Sequence, residues 1–284
     1  MAPINYAYVN GRFVPEDQAT ISIFDRGFLY GDGVFETMRV YGGNIFRLHE
    51  HLQRLCAGLT RLKIGVPLSL AGLRALCEEL VDRNGLLDGI TRIEVTRGTS
   101  GIGLSAREDQ PQSIVALAQS REFPLWSPGM RLITSAWRLD PESPLADMKS
   151  ANRLPYVLAK LEAEQERGDD AVLFNTRGLA AELTASNLFV VKNGELFTPP
   201  LSDGPLPGIT RKAVLILAEE LRITTYETSC KAEFLADADE LFATNSVTEI
   251  APVISLDGRQ LTYSAVTGRL REAYRQLVQK ELGL

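Results

Sequence analysis

The sequence predicts an α+β protein of two domains. Segments of strand and helix character mix along the chain without the regular strand–helix–strand alternation of a parallel sheet. A stretch carrying two prolines and a glycine, "SREFPLWSPG" from Ser120 to Gly129, interrupts the pattern near mid-chain. The length of 284 residues exceeds what one small core holds. These observations predict an N-terminal domain over 1–120, a linker over 121–129 and a C-terminal domain over 130–284.

Each element follows from a local pattern. "YAYVNGRFV" alternates and carries Asn10-Gly11, which predicts a tight hairpin. In "ISIFDRGFLYGDGVFETMRVYGGNIF", Gly27, Gly31 and Gly33 divide loop from strand, and Gly42-Gly43 marks a second turn. "RLHEHLQRLCAGLTRLKI" repeats Leu48, Leu52, Leu55 and Leu59 at helical spacing. "SLAGLRALCEELVDRNG" predicts a second helix that stops at Gly85. "ITRIEVTRG" and "SIVALAQ" read as strands. Beyond the linker come strand "RLITSAWRL" and a helix whose expected buried stripe is Leu154, Val157, Leu158 and Leu161, with Pro155 in its first turn. Strand "AVLFN", a turn, and strand "LFVVKNGELFTPP" follow. A helix with Val214, Leu217, Ala218 and Leu221 as its stripe, strand "DELFATN" and a final helix, "AVTGRLREAYRQLVQKEL", complete the chain.

Composition narrows the function. Hydrophobic residues make up 45% and charged residues 23%, as in ordinary globular proteins. No apolar run approaches the roughly 20 residues of a membrane helix, and the N-terminus lacks a signal-like core; a cytoplasmic protein without membrane contact is expected. A net charge of -6 with no basic stripe argues against nucleic acid as a partner. Cys56, Cys77 and Cys230 are too widely spaced for a zinc pattern and are expected as free thiols. His49 and His51 lie two apart, so a helix would not aim them at one metal. There is no GxSxG elbow. Gly98, Gly101 and Gly103 do not follow the dinucleotide-binding order. With so little histidine, lysine is the proton carrier to consider.

Lys149 precedes the helix of "SANRLPYVLAKL". It is either a solvated helix start or a lysine whose pKa the helix dipole lowers, as a nucleophilic amine requires. "PLPGITRKAVL" opens a helix with Gly208, Ile209 and Thr210, a combination that supplies backbone N–H groups, close approach and a capping hydroxyl for an anion. Thr244, Asn245, Ser246, Val247 and Thr248 form a polar strand end that could bind further anionic oxygens or be a plain turn. Glu182, among Ala180, Ala181, Leu183 and Ala185, is either a buried base or a turn acid.

In this order, "DRGFLYGDGVFETMRVY", "FRLHEHLQRL", Lys149, Glu182, "GITR" and "TNSVTEIAPV" resemble the class IV pyridoxal-phosphate enzymes. That family includes branched-chain aminotransferases, D-amino-acid aminotransferases and aminodeoxychorismate lyases. The resemblance spans nearly the whole chain. It implies a small N-terminal α/β domain and a larger C-terminal domain with a pseudo-barrel. It further implies pyridoxal 5′-phosphate held by Lys149 as a Schiff base, with Lys149 then moving protons, and Glu182 paired with the pyridine nitrogen. Arg54, Ile209, Thr210 and Ser246 would hold the phosphate. Tyr30, Phe35, Thr37, Arg92 and Val247 would line the substrate side. A homodimer is implied, with the site between domains and Tyr30 a candidate contribution across the interface.

Within the family the motifs divide. Ile102 and Leu104 stand where the D-specific branch carries an Arg-x-His pair. Arg92 falls where branched-chain enzymes engage the substrate carboxylate, but Ile90 replaces their tyrosine. "KSANRL", "FET" and "TNSV" resemble the lyases. The resemblance implies an aminotransferase acting on a branched-chain-like α-amino acid and a 2-oxo acid such as 2-oxoglutarate. The alternatives are a lyase releasing pyruvate and 4-aminobenzoate, and an atypical D-amino-acid aminotransferase. A cofactor-binding protein without turnover would have no need for both Lys149 and Glu182.

Overall fold

The computed structural model describes residues 5–106, 110–121, 123, 128–262 and 265–284. Residues 122 and 124–127 of the expected linker lie outside the described residues. The chain forms two compact units. One takes residues 1–122 together with 148–152 and Leu284; the other takes 123–147 and 153–283.

The first unit is built on a six-stranded sheet. Strands β1 (Tyr6–Val9) and β2 (Arg12–Pro15) form the expected hairpin, with Asn10 and Gly11 at φ 47° and 92° as a tight primed turn demands. A five-residue helix, α1 (Arg26–Tyr30), follows where the sequence suggested loop. It is too short to show a period, and Asp25 caps it by accepting from Gly27 N–H. Then come β3 (Gly33–Tyr41), β4 (Asn44–Ile45), α2 (Leu48–Arg61), α3 (Leu70–Arg83), β5 (Asp88–Thr96) and β6 (Ser113–Ser120). The order is β2-β1-β6-β5-β3-β4, antiparallel throughout. Both helices pack on the sheet, and Leu52, Leu55 and Leu59 of α2 are buried as their spacing required.

Period two gives β3 two faces. Val34, Met38 and Val40 are buried core residues, with Glu36 among them. Phe35 and Thr37 point the other way, directly opposite Glu94 and Arg92 of β5. Residues 149–151 add a short bridge to the β3 edge that β4 leaves open. Phe35 N–H donates to the Lys149 carbonyl at 3.0 Å, and Ala151 N–H donates to Gly33 at 2.9 Å. Lys149 precedes the helix that begins at Leu154, as expected from sequence, but does not stand at its mouth. It lies in an extended segment fixed by backbone pairing.

The second unit contains β7 (Met130–Leu139), α4 (Leu154–Gln165), β8 (Asp170–Asn175), β9 (Ala180–Leu183), β10 (Asn187–Lys192), β11 (Glu195–Thr198), α5 (Ile209–Glu220), β12 (Thr225–Glu227), α6 (Ala232–Ala236), β13 (Glu240–Asn245), β14 (Glu249–Leu256), β15 (Arg259–Gln260) and α7 (Ala265–Leu282). Its strands run β12-β11-β10-β13-β14-β7-β8-β9, and β9 also pairs with β10. That last pairing closes six strands into a ring, at Glu182 opposite Asn187. Leu132, Val172, Leu188, Val190, Leu241 and Val253 belong to its core.

Three expectations need correction here. "LFVVKNGELFTPP" is a hairpin of β10 and β11, not one strand, because Asn193 and Gly194 both take positive φ. The expected turn after "AVLFN" contains β9, whose four residues are all buried and so show no alternation. The stripe of α4 faces outward: Leu154, Val157 and Leu161 are exposed and Leu158 is half-buried. Ala159 and Ala163 form the buried side, packed with Ile133, Ala171 and Leu173. In α5, Val214, Leu217 and Ala218 are buried as predicted, and Leu221 is half-buried at its end. Among the described residues, no helix is long and apolar enough to cross a membrane.

Candidate active site

In the first unit the candidate residues fall on the two faces of β3. On the helix-covered face, Glu36 is fully buried. Its Oε1 accepts from Arg54 Nε at 2.7 Å and its Oε2 from Arg54 Nη2 at 2.8 Å. His51 Nδ1 lies 2.7 Å from Oε2. Residues three apart on a helix share a face, so α2 delivers His51 and Arg54 to one carboxylate. Burial alone would raise the Glu36 pKa. The charge of Arg54 and the hydrogen bonds from Arg54 and His51 outweigh it and hold the group at about 2. Burial lowers the His51 pKa, so a neutral imidazole donates its Nδ1–H to Glu36. The planar fork of Arg54 is thereby fixed in two directions.

On the opposite face the Phe35 ring collects two cations. The Arg92 guanidinium carbon lies 3.8 Å from the ring centroid and Lys149 Nζ lies 4.8 Å from it. Arg92 also reaches Glu94 Oε2 at 2.7 Å and Thr37 Oγ1 at 3.5 Å. Phe35, Thr37, Arg92 and Lys149 are thus brought together as the sequence suggested. Tyr30 serves another contact: its hydroxyl accepts from Gly103 N–H at 2.8 Å, and Arg26 stacks 4.9 Å from its ring. Ile102 and Leu104, in the same loop as Gly103, are 85% and 84% exposed.

The second unit carries the other candidates around the ring closure. Glu182 on β9 is buried; it accepts from Tyr156 Oη–H at 3.0 Å and from Leu206 N–H at 2.9 Å. Burial and the neighbouring Glu182 charge raise the Tyr156 pKa, so the phenol remains a donor. Arg153 stacks on the Tyr156 ring at 3.4 Å. Glu182, Asn187 and Thr244 stand opposite one another across β9, β10 and β13. Asn187 Nδ2 donates to the Leu206 carbonyl at 2.8 Å. Leu206 is therefore clamped by Glu182 through its N–H and by Asn187 through its carbonyl.

Two residues beyond Leu206, Gly208 caps α5 without any side-chain bond. The expected capping hydroxyl is absent because Thr210 lies inside the first turn and is buried. A Cβ on Gly208 would collide with Asn187 Oδ1, which leaves room for glycine. The first-turn N–H groups of Ile209 and Thr210 have no partners in the helical ladder, and free N–H groups of that kind suit an anion. After β13, Asn245 Oδ1 accepts from Val247 N–H at 2.8 Å and Thr248 N–H at 2.7 Å, which shapes the turn bearing Ser246. Thr244 Oγ1 is buried without a hydrogen-bond partner among the described residues.

Sequence reasoning missed Glu36, Glu94, Tyr156 and Asn187. Glu36 had a legible signal, a carboxylate in phase with Val34, Met38 and Val40 on a buried strand face, which obliges a cationic partner. Glu94 and Tyr156 had none without strand register and tertiary contacts.

The profile of the amino-transferase class IV family matches residues 33–256, a span that runs from β3 to the end of β14 and holds the residues described above apart from Arg26 and Tyr30. The chain belongs to the class IV aminotransferases. This transaminase is 39% identical over 274 residues to a provisionally named branched-chain-amino-acid aminotransferase of Methanocaldococcus jannaschii, covering 95% of each chain. It is 35% identical over 258 residues to a D-alanine aminotransferase of Listeria monocytogenes, covering 89% of this chain and 88% of that one. The structure of a T.th. branched-chain amino acid aminotransferase complexed with N-(5′-phosphopyridoxyl)-L-glutamate matches with a TM-score of 0.91 at 30% identity, covering 98% of this chain and 95% of that one.

Breaking the Glu36 pairing should be costly. Glu36→Gln in this aminotransferase removes the counter-charge that Glu36 gives Arg54 and should lower stability by about 3 kcal/mol, measured by urea unfolding at neutral pH. The Glu36 pKa is lowered from 4.5 to about 2, so its contribution is complete above pH 4.5 and is lost as pH falls toward 2. His51, lowered from 6.5, adds a loss that begins as pH falls below 6.5. The stability gap between wild type and Glu36→Gln should close across the acid range; a gap that is constant with pH would contradict an ionised Glu36.

Proposed function

We propose that this enzyme uses pyridoxal 5′-phosphate to move the amino group of a branched-chain-like α-amino acid to a 2-oxo acid such as 2-oxoglutarate, as a cytoplasmic homodimer. The observation that carries this reading is the double clamp on Leu206. It ties a buried carboxylate, Glu182, to a glycine-capped helix N-terminus that begins a few residues further along. A ring nitrogen that must stay protonated and a phosphate are the two features such a pair suits. The unpartnered Thr244 hydroxyl, in register with Asn187, offers one more polar atom to the same ligand.

The cofactor supplies an electron-withdrawing ring that stabilises negative charge at the substrate Cα. The chain's own residues do the rest. Lys149 would hold the cofactor covalently, and its free amine would carry a proton at the substrate Cα. Glu182 would keep a proton on the ring nitrogen. For the phosphate, the first unit would offer Arg54, held by Glu36, and the second unit would offer the Ile209 and Thr210 N–H groups and Ser246. Toward the substrate the first unit would offer Phe35, Thr37 and Arg92, and the second unit Val247, with Tyr30 a candidate contribution to the partner subunit. The apolar, exposed Ile102 and Leu104 support a branched-chain-like rather than a typical D-specific substrate. Three free cysteines fit a reducing compartment.

Each unit exposes apolar side chains that favour a second copy as partner. Ile23 and Phe28, close to Tyr30 in sequence, are 68% and 66% exposed, and Leu154, Val157 and Leu161 line α4. Light scattering on a size-exclusion column should give twice the chain mass, and Phe28→Asp combined with Val157→Asp should halve it. A wild-type monomer with full turnover would refute the dimer.

Borohydride reduction followed by peptide mapping should place the cofactor on Lys149; a tag on another lysine would overturn the assignment. Lys149→Ala should abolish both the bound-cofactor absorbance and turnover with its fold intact. Parallel incubation with L-leucine, D-alanine and aminodeoxychorismate, each with 2-oxoglutarate as amino acceptor, should yield a branched 2-oxo acid and glutamate from L-leucine. Release of 4-aminobenzoate instead would identify a lyase, and turnover of D-alanine alone would identify a D-specific enzyme.

A further inference from the structure

We infer that Glu94 is a specificity-determining residue, a built-in counter-charge that lets Arg92 face either an uncharged substrate side chain or a second carboxylate. The inference rests on the aminotransferase reading above and extends it to a residue with no assigned role.

The argument begins with strand geometry. Arg92 and Glu94 are two apart on β5 and therefore share a face. Register sets them opposite Thr37 and Phe35. On that face the Arg92 guanidinium lies 3.8 Å from the Phe35 ring centroid, a full charge against an apolar ring. Glu94 Oε2, at 2.7 Å from Arg92 Nη2, offsets that charge.

The pair is made to be exchanged. Its side chains are 34% and 28% exposed, so solvent screens it and it holds Arg92 less firmly than the buried Glu36 holds Arg54. Glu94 takes one edge of the guanidinium, Thr37 sits at the long distance of 3.5 Å, and a fork of five donors has more to offer. With an aliphatic side chain on the substrate, Glu94 keeps Arg92 compensated and turned along the sheet. With a carboxylate at the far end of the substrate, Arg92 turns to it, but the fixed charge of Glu94 opposes that second anion. Glu94 thus sets the preference of the site for monocarboxylic over dicarboxylic amino acids without forbidding either.

The test is Glu94→Gln in the holoenzyme, which removes the charge and keeps the shape. The ratio of kcat/KM for L-glutamate to that for L-leucine should rise about tenfold, and Glu94→Asp should restore it toward wild type. Calorimetry on the holoenzyme should show glutarate binding tighter and 4-methylpentanoate no tighter in Glu94→Gln. A purely structural role would lower both kcat/KM values together. An unchanged ratio, or an equal change for both substrates, overturns the role of Glu94 alone. A wild-type enzyme that turns over no amino acid overturns the aminotransferase reading and this inference with it.

Discussion

A carboxylate with no exposed surface sits in the middle of β3, and much of the N-terminal unit is arranged around keeping it charged. An ionised group cannot be withdrawn from water unless partners replace the hydration it loses. Glu36 finds two, both on α2 and both reached at 2.7 Å. The consequence runs outward from that contact. The helix is fixed against the sheet at the level of residue 36, and its arginine is fixed in orientation. A guanidinium so held needs little further ordering when an anion arrives, which is where preorganised sites gain their affinity.

The C-terminal unit solves a similar problem with backbone groups. A ring of six strands closes at one narrow pairing, Glu182 with Asn187. Both side chains then leave the ring to hold Leu206. The close packing of Gly208 against Asn187 follows, since no larger residue fits between the amide and the helix start. The carboxylate, the amide and the helix end are therefore not independent features. A change at any of the three disturbs the path of residues 206–208 and so the other two.

How legible this was depended on the range of the signal. Helices α2 and α5 were readable because their apolar periods are local and are used as they appear. The period of α4 was equally clear but was assigned to the wrong surface. Ala159 and Ala163 allow the helix to lie close on its sheet, and the larger residues are left outside. Strand β9 was unreadable because a strand buried on both faces carries no alternation. Lys149 and Glu182 stand out through motif order, yet the setting of Lys149 does not. Its partners on β3 are far removed in sequence, and no local pattern encodes such a pairing. Glu36 is in phase with a buried strand face, but its partners His51 and Arg54 come from a different element, so the pairing itself is not written in the local pattern.

The two faces of β3 place a strict demand on register. Phe35 and Glu36 are neighbours with opposite tasks. A slip of one residue would turn the phenyl ring toward Arg54 and the carboxylate toward Arg92 and Lys149. Nine consecutive pairs with β5 resist that slip on one edge. On the other edge the resistance comes from residues 149–151, through the bonds from Phe35 to Lys149 and from Ala151 to Gly33. The segment that carries the lysine is therefore part of what holds the strand in place. Position of the amine and burial of Glu36 share one backbone constraint, so a disturbance to the pairing of Lys149 must also be felt by Arg54 on the far side of the sheet.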